Sequence, residues 1–282
     1  MHISVITTCK NRLQHLQATL PLLVGMPDTE VIVVDYGCDE GSGAWAKAQY
    51  GAVTVVDVAD DPVFNLARAR NIGAKAASAA ILCFVDADTF MLADISKWVL
   101  ENFRPNGFYV IERARRDLDG FLLCRREDFE RVGGYDEAFR GWGFEDTDLQ
   151  ERLEAVGLER RFIPHNLFST IEHADSLRQF GPAHDGFRDL PEALALGHLY
   201  CVIKRDLRRL SGREPDFDFR RSLMEQIKTL NRTAETRNMT TFTISIDAGV
   251  VSLRASPASL ARKIDYVFQR FADGEGDGPK FP

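Results

Sequence analysis

The sequence has few cysteines and no paired cysteine motif. Its five cysteines are scattered and include no CxxC pair: Cys9, Cys38, Cys83, Cys124 and Cys201. This spacing argues against a disulfide framework and against a zinc site of the CxxC type. Reduced thiols are typical of cytosolic proteins, so we expect a cytoplasmic location, either free or peripheral at the inner membrane.

Long apolar runs and an excess of positive charge are also missing. No apolar stretch reaches the length of a membrane span, so the sequence predicts no transmembrane segment. The net charge of −7 argues against a general nucleic-acid binder. The 282 residues are 45% hydrophobic and 27% charged, which is ordinary for a soluble protein with one large domain and room for an appendage.

A glycine-rich phosphate loop is absent after the first predicted strand, residues 3–8. The residues that follow are Cys9-Lys10-Asn11-Arg12, without a glycine. The dinucleotide-binding and P-loop patterns both require glycines at this point. The same absence disfavours a nucleotidyltransferase.

Strands and helices alternate in the first part of the chain. Apolar runs predict strands at residues 3–8, 30–35, 53–58 and 81–85, and helical spacing predicts helices at 13–24, 44–50 and 65–80. Alternation of this kind indicates βαβ units and a parallel sheet with right-handed crossovers.

The second part of the chain has a less regular pattern. We predict helices at 95–103, 126–132 and 145–157, strands at 107–112 and 121–124, and an edge strand at 160–164. Further on, we predict helices at 191–210 and 219–237, a hairpin at 241–253 that turns at 247–249, a last amphipathic helix at 260–271 and a frayed tail at 272–282. The predicted domains are 1–180, with a nucleotide-binding half 1–105 and a catalytic half 106–180, and a mainly helical extension 181–271.

Two carboxylates, Asp86 and Asp88, directly follow the apolar strand 81–85. Ligands of open α/β sheets bind beyond the carboxyl ends of the strands. Paired hard oxygen ligands there suit a hydrated divalent cation that carries a phosphorylated substrate. A polar turn after a strand is the alternative, because aspartate is common in turns.

A second acidic pair, Glu145 and Asp146, stands at a predicted helix start. Acids at this position are favoured by the helix dipole, so a simple N-terminal cap is one interpretation. Just before it, Trp142 lies between Gly141 and Gly143, which predicts a loop that presents an indole. A core tryptophan is the alternative interpretation of Trp142.

Several motifs together resemble a known family. They are Val5-Ile6-Thr7-Thr8 with Asn11-Arg12, Val33-Val34-Asp35-Tyr36-Gly37, Ala69-Arg70-Asn71-Ile72-Gly73, Phe84-Val85-Asp86-Ala87-Asp88, Gly133-Gly134-Tyr135-Asp136 and Gly141-Trp142-Gly143-Phe144-Glu145-Asp146-Thr147-Asp148. Over about residues 1–175 the chain resembles inverting nucleotide-sugar glycosyltransferases of the GT-A fold. The first half is similar to family 2, and the second half is similar to β-1,4-galactosyltransferases and chondroitin polymerase modules.

This resemblance implies a mixed, mainly parallel α/β sheet and a role for each matching residue. Asp35 would hold the uracil ring, Arg70 would face the base or the diphosphate, and Asp86 would approach the ribose. Asp146 would be the general base, with Glu145 and Trp142 lining the acceptor and donor-sugar pocket. Contacts with the nucleotide sugar are further expected from the residues Thr7, Arg12 and Ala87.

The metal site implied by the resemblance combines Asp88 with His173. An imidazole ligand favours Mn²⁺ over Mg²⁺. His165 and His184 are rival ligands, and Arg68 is an alternative to Arg70. The sequence departs from the family at Tyr36, where a second aspartate is usual, so the details of base recognition stay open.

The predicted function is therefore transfer of a hexose or N-acetylhexosamine from a UDP-sugar donor to a glycan acceptor, in surface polysaccharide synthesis. The alternatives are a catalytically inactive sugar-nucleotide-binding module and a nucleotidyltransferase on a related fold. The sequence leaves the donor sugar and the acceptor open. We expect the C-terminal extension to cover the acceptor cleft, to mediate a homodimer or to dock a partner enzyme.

Overall fold

Apolar strands and amphipathic helices alternate along the first part of the chain in this computed structural model. They are β1 (Ile3–Cys9), α1 (Leu13–Val24), β2 (Thr29–Asp35), α2 (Ser42–Gln49), β3 (Thr54–Asp57), α3 (Leu66–Ala76) and β4 (Ile81–Phe84). The structure describes residues 2–61, 63–92, 94–112, 118, 120–140, 143–171, 190–252 and 259–269.

The elements that follow are shorter and less regular. They are β5 (Thr89–Met91), α4 (Ile95–Asn102), β6 (Gly107–Ile111), β7 (Leu122–Arg125), α5 (Arg126–Arg131), α6 (Glu145–Ala155), β8 (Glu159–Ile163) and β9 (Phe168–Thr170). Contacts divide the chain into two units, Met1–Leu190 and Pro191–Pro282, and each is described by itself.

A seven-stranded sheet in the order β3-β2-β1-β4-β7-β6-β8 forms the centre of the first unit. Strands β1 to β4 run parallel, β7 is antiparallel to both of its neighbours, and β8 is parallel to β6. The predicted mixed, mainly parallel sheet is thus confirmed, and β8 is the edge strand that the sequence predicts. Cys9, Asp35 and Asp57 stand in register at the ends of β1, β2 and β3, so the carboxyl ends of these strands form one edge.

Both faces of this sheet are covered by apolar residues, as expected for parallel strands. Neighbouring residues of β4 alternate between two clusters, with Cys83 on one face and Phe84 on the other. Helix α3 packs closely on β1, because Gly73 allows it: a Cβ there would stand 2.4 Å from Ile6 Cγ2. This contact fixes the height of α3 above the sheet and so positions the side chains of the Ala-Arg-Asn-x-Gly motif.

A second, two-stranded sheet pairs β5 with β9 directly after the Asp86–Asp88 segment. Thr89 stands opposite Thr170, and the N–H of Ile171 donates to the carbonyl of Asp88 at 2.8 Å. The chain that leads toward position 173 therefore returns to the end of β4.

The C-terminal unit contains two helices and a long antiparallel strand pair. They are α7 (Leu190–Ser211), α8 (Phe217–Thr236), β10 (Thr241–Ser252) and β11 (Ser259–Gln269). The predicted hairpin at 241–253 is wrong, because β10 runs through the predicted turn at 247–249, where its pairing shifts register between Asp247 and Val250, and its partner is β11. None of the helices in the described ranges is long and apolar enough to cross a membrane.

The predicted helix at 260–271 is wrong, because residues 259–269 form β11. Ile264, Tyr266 and Phe268 are partly buried at a period of two, whereas Val267 is 65% exposed. The apolar residues fit both periods, and pairing with β10 decided the outcome. Residues 270–271 lie outside the described residues.

Candidate active site

The two acids after β4 differ in their surroundings. Asp86 is about one third exposed, and its Oδ1 accepts a hydrogen bond from Arg70 at 2.9 Å. The carbonyl of Ala87 between them accepts from the Thr19 hydroxyl at 2.8 Å, which ties this turn to α1. Asp88 lies 3.6 Å from the Arg12 guanidinium, and both side chains are about one fifth exposed (19% each). The pair therefore stands at a solvent-accessible edge beside two cationic groups.

The second acidic pair opens helix α6 after a left-handed backbone segment. Gly143 has a φ of 97° and Phe144, the N-cap residue, a φ of 72°. A phenylalanine in this region is strained, and strain of this kind is concentrated at functional sites. This backbone conformation turns the chain so that Glu145 and Asp146 lie beside Arg70, near the end of β4, and do not cap the helix.

Arg70 joins the two acidic pairs. Its side chain is 2% exposed; Nη1 donates to Asp146 Oδ1 at 2.7 Å and Nη2 donates to Asp86 Oδ1 at 2.9 Å. Nη1 also lies 3.7 Å from Glu145 Oε1. The rigid fork of a guanidinium can bind two carboxylates at fixed geometry, which an ammonium cannot do. Three acidic side chains thus converge on one buried cation.

Arg68, the alternative candidate, has a different environment. Its guanidinium donates to Asp60 at 2.9 Å and to the Tyr36 hydroxyl at 3.1 Å. The phase of α3 therefore separates the two arginines, and Arg70 is the one beside Asp86 and Asp146. The groups that Arg70 contacts belong to the protein itself: acidic side chains, the Gly120 carbonyl and the Tyr135 ring.

Tyr135 and Gly120 belong to the site, although the sequence predicts no role for either residue. The Tyr135 hydroxyl donates to Asp146 Oδ1 at 3.2 Å, and Arg70 lies over its ring at 5.0 Å. The Gly120 carbonyl accepts from Arg70 at 3.2 Å, and a Cβ at Gly120 would stand 2.1 Å from Asp86 Oδ2. The Gly-Gly-Tyr-Asp motif could have pointed to Tyr135, whereas no local pattern distinguishes Gly120.

Asn71 holds Tyr135 in place. Its side-chain amide donates to the Tyr135 carbonyl at 2.9 Å and accepts from the Tyr135 N–H at 2.8 Å. Consecutive residues of α3 therefore orient both hydrogen-bond donors to Asp146, one directly through Arg70 and one through Tyr135. This explains why Arg70 and Asn71 occur together in one motif.

Burial dominates the protonation of the acidic pair on α6. Desolvation, reinforced by the neighbouring Asp146, raises the pKa of Glu145 to about 8. Desolvation also raises the pKa of Asp146, although Arg70 acts in the opposite direction. Glu145 Oε2 has no hydrogen-bond partner in the described part of the chain. The site therefore combines a buried carboxyl that holds a proton near neutral pH with a carboxylate fixed by two donors.

Asp35 lies at the carboxyl end of β2 and is nearly buried. Its Oδ1 accepts from the Cys38 N–H at 2.7 Å and its Oδ2 accepts from the Gly43 N–H at 2.6 Å, so it shapes the loop into α2. Tyr36, in the position of the expected second acid, is fully buried and donates to Asp61 at 2.8 Å. This edge therefore presents a single aspartate followed by a buried tyrosine, and not a pair of aspartates.

Thr7 is also buried at this edge, and its hydroxyl has no hydrogen-bond partner within the described ranges. Trp142, His173 and His184 lie outside the described residues. His165 is described and lies 3.7 Å from Glu112, in a short helical turn between β8 and β9. Within the described ranges, no group of three or more His, Cys, Asp and Glu residues could hold a metal.

Comparisons with known proteins relate this geometry to one class of enzymes. Residues 113–176 match the family described as the N-terminal domain of galactosyltransferase. Validoxylamine A glucosyltransferase of Streptomyces hygroscopicus subsp. jinggangensis is 26% identical, over 55% of this chain and 52% of that protein. This chain thus spans about half the length of that relative.

Solved structures with the same architecture are more distant in sequence. Mannosyltransferase PcManGT from Pyrobaculum calidifontis, in complex with GDP-Man and Mn²⁺, has a TM-score of 0.52 at 16% identity, covering 83% of this chain and 75% of that one. GalNAc-T7 with UDP, GalNAc and Mn²⁺ has a TM-score of 0.55 at 15% identity, covering 84% and 58%. TarS 1–349 of S. aureus in complex with UDP has a TM-score of 0.54 at 14% identity, covering 83% and 72%.

The fold is GT-A. The fold expected from the sequence motifs is confirmed, and the similar proteins are glycosyltransferases. The family match covers the segment that contains Tyr135, Glu145 and Asp146, which is the half of the site opposite the β4 end.

Proposed function

We propose that this protein is a metal-dependent inverting glycosyltransferase that moves a hexose or N-acetylhexosamine from a UDP-sugar to a glycan hydroxyl. Surface polysaccharide synthesis is the proposed setting. One observation carries the proposal: on a GT-A fold, a partly exposed Asp146 is held by the buried Arg70 and by Tyr135, beside the strand-end Asp86. This arrangement provides a proton acceptor next to a nucleotide-binding edge.

The donor would bind at the carboxyl ends of β1 to β4. In the proposal, Asp35 and Thr7 approach the nucleoside, Asp86 the ribose, and Arg12 with Ala87 the nucleotide sugar. Asp88 and His173 are proposed to hold Mn²⁺ or Mg²⁺. Such a cation would neutralise charge that develops on the leaving diphosphate.

Three observations support a cation at this position. Asp88 presents a hard oxygen ligand that is partly exposed at the end of β4. The backbone after β9 returns to Asp88 through the Ile171 N–H, only two residues before His173 in sequence. PcManGT and GalNAc-T7 were both solved with Mn²⁺.

Asp146 is the proposed general base. A single displacement with inversion requires one carboxylate to take the proton of the attacking hydroxyl as its oxygen bonds to the anomeric carbon and the bond to the diphosphate breaks. Arg70 and Tyr135 both donate to Oδ1 and hold this oxygen in place, so Oδ2 is the proposed proton acceptor. Burial strengthens the base, because it raises the pKa of Asp146.

Glu145 has a separate proposed role. It lies beside Asp146, and its raised pKa of about 8 keeps it protonated at neutral pH. Because a protonated Glu145 carries no negative charge, the single positive charge of Arg70 has fewer anionic side chains to neutralise. Trp142 is proposed to offer an apolar face to the sugar C–H groups.

A donor panel would test the proposal. Purified protein is incubated with Mn²⁺ and UDP-glucose, UDP-galactose, UDP-N-acetylglucosamine, UDP-N-acetylgalactosamine or GDP-mannose, and nucleoside diphosphate release is measured. We expect metal-dependent release from one or more of the UDP-sugars, and loss of metal-dependent UDP binding in Asp88→Ala. Unchanged UDP affinity of Asp88→Ala in calorimetry contradicts the metal site, and binding of a donor without release by the unaltered protein favours the inactive module.

A further inference from the structure

Two cysteines meet at the edge of the sheet where the donor is proposed to bind. Cys9 is the last residue of β1, and Cys38 lies in the loop after β2. Both sulfurs contact the hydroxyl of Ser42, at 3.1 Å from Cys9 and 2.7 Å from Cys38. Sulfurs that share one hydroxyl lie within side-chain reach of each other, which a disulfide requires.

The other three cysteines are placed differently. Cys83 and Cys124 are fully buried on opposite faces of the sheet, and Cys201 is buried in the C-terminal unit. Two thiols on opposite faces of a sheet cannot be joined without unfolding it. Cys9 and Cys38 therefore form the pair with the geometry for reversible oxidation.

The surroundings give the two sulfurs different protonation. A hydrogen bond from Cys9, supported by Ser42 and by the N–H of Asn11 at 3.2 Å, lowers the pKa of Cys38 to about 5. The same hydrogen bond and burial raise the pKa of Cys9. Cys38 is also the more exposed of the two. Reactive cysteines have this combination of thiolate character and partial exposure.

We propose that Cys9 and Cys38 form an oxidisable thiol pair that a peroxide converts into an intramolecular disulfide. The Cys38 thiolate attacks one peroxide oxygen, so that an S–O bond forms, the O–O bond breaks and hydroxide leaves to take a proton from solvent. The Cys9 sulfur then attacks Cys38, the S–O bond breaks, and the Cys9 proton leaves with the departing hydroxyl as water. The two thiols lose two electrons, and the peroxide is reduced to two waters.

The disulfide would join two loops that already contact each other. Lys10 Nζ donates to the Tyr36 carbonyl at 3.1 Å, and Asn11 exchanges hydrogen bonds with Asp39 at 2.9 and 3.1 Å. Cys38 moves with Asp35, because its N–H donates to the Asp35 carboxylate. A disulfide at this point changes the position of Cys38. It therefore also shifts the carboxylate of Asp35, the proposed nucleoside-binding residue, which accepts from the Cys38 N–H.

Thiol counting and peptide mapping test the proposal directly. The protein is treated with stoichiometric hydrogen peroxide at neutral pH, and its free thiols and mass are measured. We expect two of the five thiols to disappear, the mass to fall by two hydrogen atoms, and dithiothreitol to reverse both changes. Proteolysis should give one disulfide-linked peptide that contains Cys9 and Cys38.

Cysteine variants distinguish the role of Cys38, which attacks the peroxide, from that of Cys9, which completes the disulfide. Cys38→Ser should abolish the reaction at low peroxide, whereas Cys9→Ser should leave a sulfenic acid on Cys38 that a cyclic dione traps. Cys201→Ala is the matched control and should keep the disulfide. Survival of all five thiols, oxidation of Cys38 to sulfinic acid while Cys9 stays free, or an unchanged disulfide yield in Cys9→Ser overturns the thiol pair.

The effect on nucleotide binding rests on the proposed function. We expect oxidation to weaken UDP binding by about fivefold or more in calorimetry, and reduction to restore it. Equal UDP affinity of the oxidised and reduced forms overturns this effect. Absence of UDP binding in both forms counts against the proposed function, while the thiol chemistry is judged on mass and thiol count alone.

Discussion

The two acidic pairs of the site differ in secondary structure and in protonation. Asp86 and Asp88 follow a strand, are partly exposed and lie beside Arg70 and Arg12. Glu145 and Asp146 open a helix and have raised pKa values; Glu145 is buried, whereas the Asp146 side chain, 19% exposed, is as accessible as that of Asp88. A carboxylate that binds a cation or a ribose should stay ionised and accessible, whereas a base gains strength from desolvation. In the proposed function, the same side-chain type would therefore serve binding at one edge and proton transfer at the other.

The largest effect is expected from Asp146→Asn, because it removes the proposed base. Turnover should fall by about 10²–10⁴-fold, the usual contribution of general base catalysis. UDP binding should remain largely intact, since the donor edge is unchanged, and calorimetry with product assays measures both. Glu154→Gln, on the same helix and near Arg160, is the control and should keep full activity. Equal loss of binding and turnover in Asp146→Asn contradicts the base assignment.

Arg70→Met would break the connection between the two pairs. It leaves Asp86, Asp146 and Glu145 without their shared cation, and removing one partner of a buried ion pair costs about 3–5 kcal/mol. Urea denaturation should show this loss, and activity should fall with it. Arg68→Met, two residues earlier and partly exposed, should destabilise the protein less. An Arg70→Lys variant that folds but turns over slowly would support a positioning role, whereas full activity of this variant would contradict the need for a bidentate donor.

Glu145→Gln should change the pH dependence of stability. The folded-state pKa of Glu145, about 8, is above its ordinary value of 4.5, so between these pH values the folded chain binds a proton that the unfolded chain has lost. The free energy of unfolding therefore falls as the pH rises from 4.5 to 8, by up to about 5 kcal/mol from this residue at about 1.4 kcal/mol per pKa unit. Denaturation series at several pH values should show a flatter profile for Glu145→Gln than for the unaltered protein or Glu154→Gln. Identical profiles contradict the protonated state of Glu145.

Tyr135→Phe should have the smallest effect. It removes the hydroxyl that donates to Asp146 at 3.2 Å but keeps the ring under Arg70. Loss of one such hydrogen bond is worth about 1 kcal/mol, or about fivefold in turnover. Tyr109→Phe, whose hydroxyl accepts from the Arg104 N–H, is the control and should not change turnover. A loss in Tyr135→Phe as large as that in Asp146→Asn would assign Tyr135 a direct chemical role.

Much of the fold could be predicted from the sequence. The strands that became β1, β2 and β4 are apolar runs that end at a polar residue, and burial on both faces leaves them little alternative. β11 was mispredicted because its apolar residues fit two periods. Ile264, Val267 and Phe268 have helical spacing, whereas Ile264, Tyr266 and Phe268 have the spacing of a strand. Only the pairing with β10, the preceding strand, decides between helix and strand.

The site was predicted in part. The sequence pointed to Asp86, Asp88, Glu145, Asp146 and Arg70 through their motifs, and the structure describes all five, with Arg70 in contact with three of these acids. It did not point to Gly120, whose role depends on a close approach to Asp86 rather than on a local pattern. Nor did it show that Tyr36, in place of an acid, turns its hydroxyl to Asp61.

By itself, the sequence determined the alternation of strands and helices, the edge at which acids collect and the GT-A fold, because these follow from local periodicity and from motifs of adjacent residues. The tertiary structure decided which arginine of α3 faces the acids, since helix phase is fixed only by packing such as that of Gly73 on Ile6. It also decided that Asp86 and Asp146, sixty residues apart in sequence, share one buried cation. The raised pKa values of Glu145 and Asp146 also follow from tertiary packing. Desolvation of a carboxyl depends on all the atoms packed around it, most of which are distant in sequence.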